Sequence, residues 1–233
     1  MKTEKLAIAM TVQSILWIGA MEAALLVPAG TWRWPQAWAF AAIYGFGGLI
    51  YGFWLIRRDP ALLASRLEVV QKGQKTWDRV FILVFLALWY AWLVLMALDT
   101  MRWRPASHLA PMPMWVNVLG GLMMCAGFAA TTRVFRANSF AAPVVRVQEE
   151  RHQRVIDSGP YAIVRHPMYA FAPLYLFGMP LLLGSAWGLL VAPVIVLGMA
   201  IRSIFEERML ARELPGYADY MKRVRWRLIP GIW

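Results

Sequence analysis

A single cysteine, Cys125, in 233 residues leaves no disulfide to form within the chain and no cysteine-based metal site. It falls inside the apolar run GGLMMCAGFAA and reads as a small buried packing residue. Histidine is scarce too, and neither Glu22, Asp99 nor His108 has a second His or carboxylate at ligand spacing, so no metal is expected. No Gly-x-Gly-x-x-Gly follows a strand, which excludes a Rossmann-type nucleotide fold. Acidic residues number 13 against 24 Lys and Arg, for a formal net charge of +11. In a soluble chain that excess points to nucleic acid. Here the basic residues lie between apolar runs, and a lipid surface accounts for them without any nucleic acid partner. No internal repeat, low-complexity tract or soluble domain interrupts the pattern.

What the chain has in quantity is apolar length. Its hydrophobic fraction of 60% exceeds the roughly 45–50% of soluble domains, so an all-α integral membrane protein is expected. Thirteen tryptophans and eight tyrosines suit the membrane–water interface. A membrane-spanning helix needs about 20 apolar residues. Runs 6–28, 36–56, 80–98 and 113–135 meet that length, and loops 29–35 and 99–112 read as simple connectors. The first run, about twenty-three residues, outlasts the ~7–15 of a signal-peptide core and is expected to be a retained span. Beyond a polar stretch at 136–167, block 168–205 is too long for one span and is interrupted at GMPLLLGS. A helical hairpin is expected there, its first arm (168–182) about 22 Å long at 1.5 Å per residue. The chain thus divides into a four-span bundle, 1–135, and a carboxyl-terminal region, 136–233.

Charge distribution orients these spans. With the amino terminus cytoplasmic, the cytoplasmic side collects 2 Lys and Arg at the amino terminus, 6 at 57–79, 6 at 133–167 and 7 from 202 onward, 21 in all. Only Arg33, Arg102 and Arg104 lie opposite. Both termini and the segment GPYAIVRHPMY are therefore expected to face the cytoplasm.

Some polar residues need a reason to be where they are. Glu22, with Gln13 on the same span, is expected to lie near the span's end and reach water; the alternative is a carboxylate inside the bundle taking a hydrogen bond. Asp99 and His108 are read as solvated. Gln148, Glu149, Glu150, His152, Gln153, Asp157, Tyr161, Arg165, His166 and Tyr169 crowd one short stretch. Arg202 and Glu206 in MAIRSIFEERML are four apart, so an ordinary helical ion pair is the default, with Glu207 turned roughly 100° away. Polar groups converging beside apolar walls from both arms of a hairpin are also how small-molecule sites are built. The basic, aromatic tail ELPGYADYMKRVRWRLIPGIW reads as an interfacial segment against lipid headgroups.

The ordered set QRVIDSGPYAIVRHPMY, PLLLGS, RSIFEERML and LPGYADYMKRVRWRLIPGIW resembles the isoprenylcysteine carboxyl methyltransferase family, over about residues 148–233. The resemblance implies a membrane-embedded enzyme using S-adenosylmethionine. It implies that Gly159, Tyr161, His166, Pro167 and Tyr169 form the cofactor pocket and that Glu207 contacts the cofactor. Arg202 and Glu206 would lie toward the acceptor or the reacting centre. Gln153 stands where the family often has His; it can still bind the cofactor by hydrogen bonds but cannot titrate. Phe171 stands where the family tends to have Gly, which narrows the lipid-side opening or alters the substrate.

Methyl transfer from a sulfonium is an in-line displacement that depends on alignment and exclusion of water, and orientation can supply about 7–11 kcal/mol. A lipidic or small apolar acceptor would enter from the bilayer, and the cofactor from the cytoplasm. An isoprenylcysteine-type carboxylate, the first expectation, would be held by Arg202; a thiol or a phospholipid amine would need deprotonation by Glu206. Two other classes stay open. Sterol-reductase relatives share an Arg-His-Pro-x-Tyr-like stretch and use NADPH, and a non-catalytic membrane scaffold needs no site at all.

Overall fold

The computed structural model describes residues 3–68, 70–104 and 110–233. The chain is helical in the order α1 (Thr3–Ala29), α2 (Pro35–Arg58), α3 (Pro60–Leu67), α4 (Thr76–Leu98), α5 (Met114–Ala137), α6 (Pro167–Leu183), α7 (Ala186–Glu213) and α8 (Tyr217–Arg223). No strand occurs among the described residues; the one bridge pairs Val164 with Trp226. Five helices (α1, α2, α4, α5 and α7) are long and apolar enough to cross a membrane, and α6 is shorter. This is an all-α integral membrane protein. Ile8, Leu16, Leu88, Leu122, Leu190 and Val194 stay exposed on the outer faces, which suits lipid rather than water. Cys125 is exposed as well, contrary to the buried packing role expected of it. A small residue in an apolar helix packs equally well against lipid, and composition does not say which face it takes.

Proline sets where helices begin. Pro35, Pro60 and Pro167 each open one, where the missing N–H costs nothing. Helix α3 lies in what the hydropathy pattern leaves as a loop. Its start is written locally all the same: Asp59 precedes Pro60, and its carboxylate accepts the Leu62 N–H at 2.9 Å. Leu62 and Leu63 then join Leu6, Met10, Leu55, Val134 and Phe135 in a core that gathers the start of α1 and the ends of α2 and α5.

The terminal hairpin forms where GMPLLLGS interrupts the apolar block. Gly184 takes a left-handed φ of 78° that ends α6, and Ser185 caps α7 by accepting the Gly188 N–H at 2.9 Å. Asp99 accepts the Ser185 hydroxyl (2.7 Å) and the Trp187 N–H (3.1 Å), with Arg104 at 3.5 Å. Asp99 is therefore buried and structural rather than solvated, and residues Asp99–Trp103 form a π-helical turn, not a plain connector. His108 lies outside the described residues. Asn117 of α5 donates to the carbonyls of Leu181 and Leu182 in the last turn of α6, where helical acceptors run short of donors. Helices α5 and α6 cross with their backbones in contact: a Cβ at Gly120 would sit 2.2 Å from the Leu182 nitrogen.

Glu22 also departs from expectation. It is 8% exposed, and neither oxygen has a hydrogen-bond partner. It faces the bundle interior, as the alternative had it, but without the hydrogen bond.

Arm lengths place the site. Helix α6 has 17 residues and α7 has 28, so α7 overhangs its partner by 11 residues, about 16 Å. Counting back from the shared turn, Pro167 is level with about Arg202. Everything on α7 beyond that point projects past the start of α6, and the tail folds back over it.

Candidate functional site

Three consecutive functions are packed into Arg165, His166 and Pro167. Pro167 starts α6. The backbone N–H groups of Arg165 and His166 donate to the carbonyls of Trp226 (2.9 Å) and Arg227 (3.0 Å), stitching the tail to this segment. The Arg165 side chain then reaches the carbonyls of Val224 and Arg225 at 2.9 and 2.7 Å. The tail is thus built into the site; it is not only the interfacial segment that its basic and aromatic composition suggests. Its α8 packs Tyr217 and Tyr220 into a third core with Val145, Met209, Leu210 and Leu214. Tyr220 donates to the Tyr161 carbonyl at 2.8 Å, and Asn138 donates to the Tyr161 hydroxyl at 2.8 Å. Burial pushes the phenols of Tyr161, Tyr217 and Tyr220 well above their usual range, so all three are neutral at any physiological pH.

Glu207 is the knot that fixes this arrangement. Its carboxylate accepts from Arg165 (2.6 Å) and from Arg227 (2.8 and 2.7 Å). His166 Nε2 lies 3.2 Å from the same carboxylate, without hydrogen-bond geometry. One buried acid between two arginines is a satisfied charge cluster. Arg227 also rests over the Trp233 ring, 4.7 Å from its centroid, which holds down the last residue of the chain.

A second network surrounds Tyr169. Its ring stacks on His166 with centroids 5.6 Å apart. Its hydroxyl donates to Glu206 Oε2 at 2.8 Å and accepts from Arg202. The ordinary Arg202–Glu206 helical pair expected from spacing does not form, because each residue binds Tyr169 instead. Arg202 is claimed by Asp78, which takes its Nε and Nη2 at 2.8 and 2.7 Å. Asp78 is fully buried and also accepts the Val145 N–H (2.7 Å) and Gln74 (3.1 Å). Sequence reasoning missed it. The signal was an acid in the first turn of an apolar span, easily read as an interfacial charge, with its partner 124 positions away.

The two networks border one cavity enclosing about 800 Å³, the space at its mouth included. Of the residues proposed from sequence, Gln153, Tyr161, His166, Tyr169, Arg202 and Glu206 line it. Gly159, Pro167 and Glu207 do not: Gly159 takes a φ of 59° in the turn before Tyr161, Pro167 starts the helix, and Glu207 lies behind the wall. Gln153 accepts the Gln148 N–H at 2.7 Å, closing a local turn. Phe171 packs in the core with Leu62 and Phe135, away from the cavity wall. The rest of the wall is largely apolar and aromatic, with Val145, Met209, Leu210, Leu214, Tyr217 and Tyr220 among its residues, and it also includes Arg146, Arg154 and Arg165. Such a chamber suits a ligand with a flat apolar ring, a polar chain and a cation, the last met by Glu206 and by neutral tyrosine faces. S-Adenosylmethionine has those three parts.

Residues 115–215 match the sequence profile of the phospholipid methyltransferase family, which falls in the same group of membrane methyltransferases as the isoprenylcysteine enzymes. The matched region runs from α5 through α7 and so contains most of the cavity. No curated protein matches the chain. The family match supports a membrane methyltransferase, and such enzymes generally use S-adenosylmethionine.

Proposed function

We propose that this chain methylates the amine of a phospholipid headgroup, with S-adenosylmethionine as donor and Glu206 as the base. The carrying observation is the division of labour between Arg202 and Glu206. Arg202 is neutralised by Asp78 and spent on Tyr169, so it has little to offer a substrate carboxylate. Glu206 keeps partial exposure on the cavity side, with one oxygen held by Tyr169.

When bound, S-adenosylmethionine supplies a sulfonium-activated methyl group. The chain's own residues do the rest. Gln153, Tyr161, His166, Tyr217 and Tyr220, which line the cavity, would hold and orient the donor. Val145, Met209 and Leu210 exclude water, which strengthens every charge interaction inside. An ammonium headgroup must lose a proton before its nitrogen can attack, and Glu206 is placed to take it. Tyr169, clamped between Arg202 and Glu206, fixes the angle of that carboxylate. Positioning of this kind, not bond-making by the protein, is what such a displacement demands.

A second reading, an isoprenylcysteine-type carboxylate acceptor, is favoured by the ordered motifs between 153 and 233 and needs no base. The protein reconstituted with labelled S-adenosylmethionine is offered phosphatidylethanolamine or a farnesylcysteine in separate assays. Label in phosphatidylethanolamine, lost in Glu206→Gln, is the expected outcome. Label in farnesylcysteine alone selects the second reading. Absence of donor binding at millimolar concentration removes both, together with the methyltransferase class.

A further inference from the structure

A second cavity opens among α1, α2 and α4, enclosing about 1430 Å³ with the space at its mouth. Most of its wall is apolar or aromatic, including Trp17, Met21, Tyr44 and Trp89. One end is different: Gln13, Arg66 and the Pro143 backbone meet there. Gln13 donates to the Leu67 carbonyl at 3.1 Å, which holds α3 against α1 and fixes Arg66 in place.

Exposed arginines at this end of the molecule need no counter-charge, but among its described arginines that are withdrawn from solvent Arg66 stands apart. Arg165 and Arg227 share Glu207, Arg202 has Asp78, and Arg146 has Glu150. Arg66 has only a neutral acceptor, the Ala141 carbonyl at 2.7 Å, and the Phe135 ring 4.4 Å from its guanidinium carbon. Among the described residues no carboxylate pairs with it. A guanidinium carries five N–H donors, and a half-buried cation without a counter-charge is costly. An anion from outside the chain would satisfy both needs.

We infer that Arg66 binds the phosphate of a membrane phospholipid whose acyl chains fill this apolar cavity. Charge complementarity selects an anion, the fork of Arg suits phosphate, and the aromatic walls require that the anion carry hydrocarbon. The site rests on the phospholipid reading given above and deepens it, because the two cavities share a wall. Pro143 lines the second cavity, while Ala142 and Val144 line the first. The Pro143 carbonyl accepts from Arg202 at 2.8 Å. A phosphate beside Arg66 and Ala141 would set the attached headgroup against that wall, with Glu206 on its far side.

Binding can be measured without donor or turnover. The full-length protein, delipidated in detergent, is titrated with dioleoylphosphatidylethanolamine, dioleoylglycerol and glycerophosphoethanolamine, and retained lipid is counted by native mass spectrometry. Wild type should retain the phospholipid at least tenfold more tightly than either fragment. Arg66→Leu should lose that preference, and Arg66→Lys should recover part of it. Equal retention of dioleoylglycerol, or an unchanged preference in Arg66→Leu, overturns the proposal; so does equal binding of the chain-free headgroup. Should Arg66→Leu not fold, the wild-type comparison and Arg66→Lys still decide. Donor binding is measured on the same samples and is expected to persist in Arg66→Leu. Its absence from wild type would sink the proposed function and leave the lipid site standing.

Discussion

Tyr169 shows how much one hydroxyl can organise. It joins a cation that Asp78 has already neutralised to the carboxylate assigned as base. Tyr169→Phe should therefore lower kcat about 10²-fold, within the range of general base catalysis, with the donor's dissociation constant changed less than threefold. Single-turnover rates and donor titration on the same variant check this; a loss confined to donor binding would make Tyr169 a pocket residue instead. Asp78 acts further back. Asp78→Asn leaves Arg202 buried without its counter-charge, a defect that typically costs about 3–5 kcal/mol. Thermal unfolding in detergent should show a markedly lowered midpoint. The sequence made Tyr169, Arg202 and Glu206 visible, because they recur in short motifs. It could not show that Tyr169 replaces the helical ion pair, since spacing along one helix carries no information about a ring arriving from another.

At the scale of elements, the hairpin and the tail behave differently. The hairpin was legible: Pro180 and Gly184-Ser185 break an overlong apolar block, and the turn falls there. The tail was legible only as composition. Its aromatic and basic residues fit an interface, yet Val224, Arg225, Trp226 and Arg227 are tied to Arg165, His166 and Glu207 by contacts no pattern announces. Deleting residues 224–233 should therefore abolish donor binding while leaving the helical spectrum and the membrane insertion of α1–α7 unchanged. Isothermal titration with the donor distinguishes this from a passive tail, whose removal would leave affinity intact.

For the molecule as a whole, hydropathy located four of the five long helices within a few residues at most ends, and the fifth, the second arm of the hairpin, runs on past the apolar block to Glu213. It overlooked α3, an eight-residue helix whose cap and proline are clear but whose length escapes a spanning window. The structure brings the start of α1, the end of α2, α3 and the end of α5 to one end with the first cavity. The basic excess of 21 to 3 expects that end in the cytoplasm. Cysteines introduced at Glu213 and at Trp32 should label with a membrane-impermeant maleimide from opposite sides of oriented vesicles, Glu213 from the cytoplasmic side. Cys125, in the middle of α5, gives little background in such an assay.

Pro143 has a consequence that reaches past its own contacts. It belongs to the boundary of one chamber, and its carbonyl is a restraint on the arginine of the other. A guest that displaced this residue from the bilayer side would change how firmly Arg202 grips the phenol that positions Glu206. Thermodynamic reciprocity would then have whatever occupies the aqueous chamber alter the hold on its hydrophobic counterpart by the same factor. If Pro143 yields in this way, occupancy of either chamber is felt in the other.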